Sequence, residues 1–143
     1  MTQAPDFGDW LAICNLKARY CRLRDSKDWD GWSDLFTEGC EIDTRSGGGT
    51  LESGRQAFVS MVRQSLAEAK TAHHVHSPEI AIEGDVAQVI WAMQNRVVKS
   101  TFTLTGYGHY HETCVRTAQG WKISKQTLSR LMVNLVDLTG SPV

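Results

Sequence analysis

Residues 79–98 read EIAIEGDVAQVIWAMQNRVV, and apolar and polar side chains alternate on both sides of Glu83-Gly84-Asp85. A period of two marks half-buried strands, and the Gly-Asp pair supplies a tight turn between them. This is a hairpin. Toward the C-terminus, TFTLTGYGHYHETCVRT (101–117) forms a third arm, and WKISKQTLSRLMV (121–133) forms a fourth after a turn at Gln119-Gly120. Toward the N-terminus the period lengthens. From Asp6 to about Lys27, Trp10, Ile13, Leu16, Tyr20 and Leu23 recur at three-and-four spacing and share one helical face. DWDGWSDLF (28–36) predicts a short second helix, CEID (40–43) a strand, and RSGGGT (45–50) a flexible loop. That loop is no phosphate cradle, because no Gly-Lys-Ser/Thr follows it. Ser53 and Gln56 form a capping-box pattern ahead of a third helix, whose face is Phe58, Val59, Met61, Val62 and Leu66. Helices first and an antiparallel meander last predict an α+β fold. The sheet is long enough to curl around the helices and enclose a small-ligand pocket.

The chain has 143 residues and a formal net charge of -1. One domain spanning 1–143 is expected, and scattered charge leaves no basic stripe for nucleic acid. The opening MTQAPDFGDW has neither a basic nor an apolar leader segment, and no apolar run approaches the roughly 20 residues that span a bilayer. The expectation is a soluble, cytoplasmic protein with no membrane partner. Cys14, Cys21, Cys40 and Cys114 contain no C-x-x-C pair, which argues for reduced thiols over a zinc ribbon or redox motif.

Three of the five histidines fall in TAHHVHSPEI (71–80), and the other two are His109 and His111. Histidines two apart on a strand share a face, so HHVH and HYH invite a metal-ligand reading. The spacing fails: Glu112 directly follows His111 and lies on the opposite face, and no second segment of the required kind exists. No metal is expected. Acid–base work needs one imidazole oriented by a carboxylate. Along the third arm, Leu104, Gly106, Gly108, Tyr110 and Glu112 share one face, while Thr103, Thr105, Tyr107, His109 and His111 share the other. Inward glycines would leave room for a ligand and put both histidines outward, but alternation is compatible with either face inside.

Together these pieces resemble the SnoaL-like branch of the nuclear transport factor 2-like superfamily, over nearly the whole chain. The resemblance is carried by LKARYCRLRDSKDWDGWSDLFTEGCEID, by the histidine before PEIAIEGDVA, and by GHYHETCVRTAQGWKIS. It implies a cone-shaped α+β barrel with N-terminal helices packed in a curved, mostly antiparallel sheet. The family includes cofactor-free lyases, among them scytalone dehydratase, bile-acid dehydratase and lindane dehydrochlorinase, which use a histidine–aspartate pair. Residue by residue, the resemblance assigns His73 as general base, Asp25 as its orienting carboxylate and Tyr20 as an aid at the substrate oxygen. A carboxylate beside an imidazole should also raise its pKa toward the working pH. Met93, Asn95 and Tyr110 are pocket-wall candidates by alternation. The chain departs from the dehydratases in the polar group expected after the Gly-Asp turn, where it offers Met93, Asn95 and Arg96. It departs from the dehydrochlorinase in having Gln126 where that enzyme has an arginine.

The implied function is a cofactor-independent lyase, of dehydratase type, or an isomerase acting on a small cyclic or polycyclic hydrophobic compound. The implied assembly is a homo-oligomeric dimer or trimer through the outer sheet face with Tyr107, His109 and His111. A non-catalytic ligand-binding or oligomer-forming domain, or a structural subunit resembling the β-subunits of ring-hydroxylating dioxygenases, is the alternative.

Overall fold

A computed structural model describes residues 4–140; residues 1–3, part of the stretch read for a leader, and 141–143 lie outside the described residues. The helices are α1 (Phe7–Asp25), α2 (Trp29–Ser33) and α3 (Arg55–Leu66). The strands are β1 (Phe36–Asp43), β2 (Leu51–Ser53), β3 (Lys70–Glu83), β4 (Val86–Val98), β5 (Phe102–Thr117) and β6 (Gly120–Asp137). They form one curved, unclosed sheet in the order β2-β1-β6-β5-β4-β3. The meander β3-β4-β5-β6 is antiparallel, and β1 joins β6 in parallel. Among the described residues no helix is long and apolar enough to cross a membrane.

The helices fill the concave side of the sheet. Tyr20, Trp32, Phe36 and Phe58, all essentially inaccessible, form an aromatic cluster with ring centroids 5.0–5.9 Å apart. Fully burying each such ring stabilises the fold by about 1.5–3 kcal/mol, and edge-to-face pairing adds to that. Inward positions of β4, from Ala87 through Val89, Trp91 and Met93 to Asn95, supply the opposing wall.

Several local expectations differ from the structure. Trp10 is 38% exposed, while Lys17, a charge on the helical face, is 1% exposed. Gly54, with φ 97°, and not Ser53 caps α3, and no side-chain cap bond forms there. Glycine is the residue that enters that left-handed region without a Cβ clash. The glycine-rich loop contains a 3₁₀ turn over Arg45–Gly47, with Ser46 donating to the Leu128 carbonyl of β6. The inward glycines of β5 do not leave free space: the Arg130 guanidinium and the Asn95 amide lie against Gly106, and the β6 backbone at Ser129 lies against Gly108. All four cysteines are free thiols.

Candidate active site

At its C-terminus α1 stops abruptly. Lys27 takes a left-handed φ of 62°, and the Asp28 N–H donates to the Leu23 carbonyl at 2.9 Å, so the chain turns back into α2. Asp28 then caps α2 by accepting from the Gly31 N–H at 3.0 Å. This reversal leaves Asp25, the last residue of α1, facing the start of β3. A carboxylate at a helix C-terminus is disfavoured by the helix dipole, so it needs compensating donors. It has three. Thr71 Oγ1 donates to Oδ1 at 2.8 Å, the His73 backbone N–H donates to Oδ2 at 2.8 Å, and the His73 ring Nδ1 lies 2.7 Å from Oδ1. Burial works to raise the Asp25 carboxyl, but these bonds outweigh it and hold it below the ordinary carboxylate range.

His73 is 4% exposed. Here the expected upward shift is reversed: burial first, and the nearby Arg24 charge second, depress the imidazole to about 4, and Asp25 only partly offsets them. Desolvation penalises the charged ring more than one carboxylate at 2.7 Å rewards it. At neutral pH the ring is therefore uncharged, its Nδ1 proton is donated to Asp25, and Nε2 remains an acceptor. A neutral imidazole of fixed tautomer can take a proton from a bound molecule.

The ring lines a cavity of about 300 Å³ between α3, the sheet and the glycine-rich loop. Met93, Asn95 and Tyr110 are on its wall, as are apolar side chains that include Phe58, Val62, Leu104 and Leu128. Tyr20 is not on that wall. Its hydroxyl is sealed behind it, accepting from Arg24 Nη1 at 2.9 Å and from Gln126 Nε2 at 3.1 Å. The Tyr110 hydroxyl is pushed well up by burial, with Tyr20 beside it adding to the effect, so it is a neutral donor.

Sequence reasoning missed Arg24, Lys99 and Arg130, which also line the cavity. Arg130 Nη1 donates to Asn95 Oδ1 at 2.9 Å. Alternation along β6 from Gln126 through Leu128 would have placed Arg130 inward, and Arg24 lies one helical turn from Tyr20. Beneath the site, Lys17 Nζ lies 3.0 Å from Glu112 Oε1, donates to Gln126 Oε1 at 3.0 Å, and sits 3.5 Å and 3.8 Å from the centroids of Tyr20 and Tyr110. Gln126 thereby joins the buried ion pair to the Tyr20 hydroxyl. His74, His76 and His111 are exposed on the outer face, with His109 half-buried beside them. Among the described residues, no three histidine, cysteine or carboxylate side chains converge as metal ligands would.

A curved sheet wrapped on N-terminal helices, open at one end into an apolar cavity, defines a protein of the NTF2-like fold. The pattern of SnoaL-like domains matches residues 7–127, and the chain belongs to that family. A protein of Gibberella zeae described as a probable cyclase, FGR4, is 24% identical over 136 residues, which cover 85% of this chain and 91% of the relative. The crystal structure of a proposed aromatic ring hydroxylase from Novosphingobium aromaticivorans superposes with a TM-score of 0.86 at 29% identity, covering 94% of this chain and 96% of that one. A proposed scytalone dehydratase from the same organism shares the fold, with a TM-score of 0.79 at 20% identity over 95% of this chain and 96% of that one.

Proposed function

We propose that this chain is a cofactor-independent lyase or isomerase in which His73 is the general base and Asp25 its positioning partner. The observation that carries the reading is the His73 ring on the cavity wall, with its Nδ1 held 2.7 Å from Asp25. The cyclase and dehydratase names borne by FGR4 and by the scytalone dehydratase-like structure fit the same class.

The substrate in this reading is a small cyclic, mostly hydrophobic ketone or aromatic precursor, which matches a cavity lined largely by apolar side chains. Nε2 removes a proton from a carbon next to a carbonyl, and the C–H electron pair moves into an enolate. In an elimination the enolate expels a β-hydroxyl, which takes the proton held on Nε2 and leaves as water. In an isomerisation the proton on Nε2 returns at another carbon. Tyr20, sealed behind the wall, does not reach the substrate oxygen; its hydroxyl accepts from Arg24 and holds that side chain at the cavity. A homo-oligomer is part of the proposal, because β6 beyond Arg130 exposes Leu131, Met132, Val133, Leu135 and Val136.

The test is deuterium incorporation next to the carbonyl when a panel of cyclic β-hydroxyketones is incubated with the protein in heavy water. Exchange or loss of water above the buffer rate is expected, with a drop of about 10²–10⁴-fold in His73→Gln. Equal rates with the wild-type protein and His73→Gln would remove His73 from the chemistry.

A further inference from the structure

The cavity wall carries three cationic side chains, Arg24, Lys99 and Arg130, and no carboxylate. Asp25, the nearest acid, is occupied by Thr71 and His73. Elsewhere among the described residues, the cation that is withdrawn from solvent, Lys17, is paired with the equally buried Glu112. Arg24 and Arg130 form no such ion pair. Arg24 donates to a phenol and Arg130 to an amide, each through Nη1. The Nε atoms of both are sealed from solvent and donate to nothing among the described residues. Withdrawing a guanidinium from water without a counter-ion is costly, and burial first, with the Arg24 charge adding to it, pulls Arg130 below the ordinary arginine range.

The fold takes specific steps to keep Arg130 in place. Gly106 and Gly47 lie on either side of it, and a Cβ at Gly106 would overlap the guanidinium, while one at Gly47 would come within 3.3 Å of Nε. Asn95, directly across from Gly106 in the β4-β5 register, accepts from its tip. A guanidinium presents a planar set of donors matched to a carboxylate. An arginine built into an apolar cavity, with a second arginine near it and no protein anion, is arranged for an anion that arrives with the ligand.

We propose that the substrate is a ring compound carrying a carboxylate, and that Arg24 and Arg130 hold this carboxylate while the ring lies against the apolar wall. This rests on the reading of the cavity as the substrate site and narrows it from hydrophobic compounds in general to hydrophobic acids. The carboxylate is anchored in the ground state, so recognition precedes and does not require proton removal. A neutral substrate that develops charge only during reaction would use the same arginines without any preference for an acid in binding.

The experiment compares 2-naphthoate with its neutral isostere 2-naphthamide by titration calorimetry at pH 7, using the full chain and Arg130→Gln, Arg130→Lys and Arg24→Gln, with circular dichroism confirming the fold of each. The acid should bind about tenfold or more tightly than the amide. Arg130→Gln should remove most of that preference for acid over amide, and Arg130→Lys should retain part of it. Equal affinities for acid and amide, a preference that survives both glutamine variants, or no binding of the naphthoate, benzoate or cinnamate anion at millimolar concentration would each overturn the proposal. Because the readout is binding, it separates from the proton-exchange test: loss of acid preference leaves the role of His73 standing, and a catalytically silent His73 leaves the acid preference standing.

Discussion

One carboxylate holds His73 twice: Asp25 Oδ2 accepts the backbone N–H at 2.8 Å, and Oδ1 lies 2.7 Å from the ring Nδ1 of the same residue. The helix end is thereby tied to the strand and the imidazole is set in one tautomer by a single side chain. Separating these two duties is the most direct way to probe the site.

Asp25→Asn keeps the size of the side chain but replaces an acceptor-only group with an amide that must satisfy three donors with one acceptor oxygen. The His73 tautomer should become mixed, visible in the ¹⁵N shifts of the ring. Turnover should fall by up to about 10⁴-fold, the loss seen when the aspartate of a serine-protease triad is neutralised. A ring that keeps its single tautomer in this variant would assign the orientation to packing alone.

Stability should depend on pH through His73. The folded ring titrates near 4 and the unfolded one near 6.5, so between these values the unfolded chain binds more protons and stability rises with pH. Acidification from 6.5 to 4 should therefore remove up to about 3 kcal/mol. Asp25, whose folded carboxyl sits below its ordinary range, adds a further loss at still lower pH. Urea melts of the wild-type protein and His73→Gln at pH 4.5 and 7 measure it; the variant should show a much smaller difference between the two pH values.

Lys17→Met leaves Glu112 buried without its cation and should destabilise the fold by about 3–5 kcal/mol. Replacing both partners, Lys17→Met with Glu112→Leu, should recover most of that loss in denaturant melts, because the desolvation penalty then disappears from both sides. If the double variant is as unstable as the single one, the pair holds the Tyr20 and Tyr110 rings by more than mutual neutralisation.

Gly106→Ala tests the cradle without altering any charge. The added methyl must displace the ends of two side chains, Arg130 and Asn95, so the thermodynamic cost should stay at about 1–3 kcal/mol. Affinity for 2-naphthoate should fall while that for 2-naphthamide holds.

Leu135→Glu places a charge within the exposed apolar run of β6. Light scattering should show the wild-type chain heavier than a monomer and the variant shifted toward monomer mass, with the fold intact by circular dichroism. A monomeric wild-type protein would set aside the assembly proposed for this surface.

Much of this molecule could be read along the chain. Period two in EIAIEGDVAQVIWAMQNRVV and its neighbours announced the meander, and three-and-four spacing announced α1 and α3, because those periods follow from backbone geometry that each segment carries by itself. Alternation made Met93, Asn95 and Tyr110 pocket-wall candidates but left open which face is inside; the packing of the helices on the sheet puts them on the cavity wall. His73 and Asp25 stand 48 residues apart in sequence, and local pattern does not connect them; a family resemblance did.

What tertiary structure alone decided is the electrostatic character of the site. The pKa of His73 depends on how completely α1, α3 and the sheet exclude water around it, which no neighbour in sequence reports, and that exclusion reversed the direction expected from a nearby carboxylate. Lys17 finds its counter-ion only because β5 brings Glu112 to it. Arg24 and Arg130 are 106 positions apart, and only the curl of β6 over the helices makes them face one cavity. Periodicity shows which side of an element is buried; which charges meet there is set by packing between elements distant in the chain.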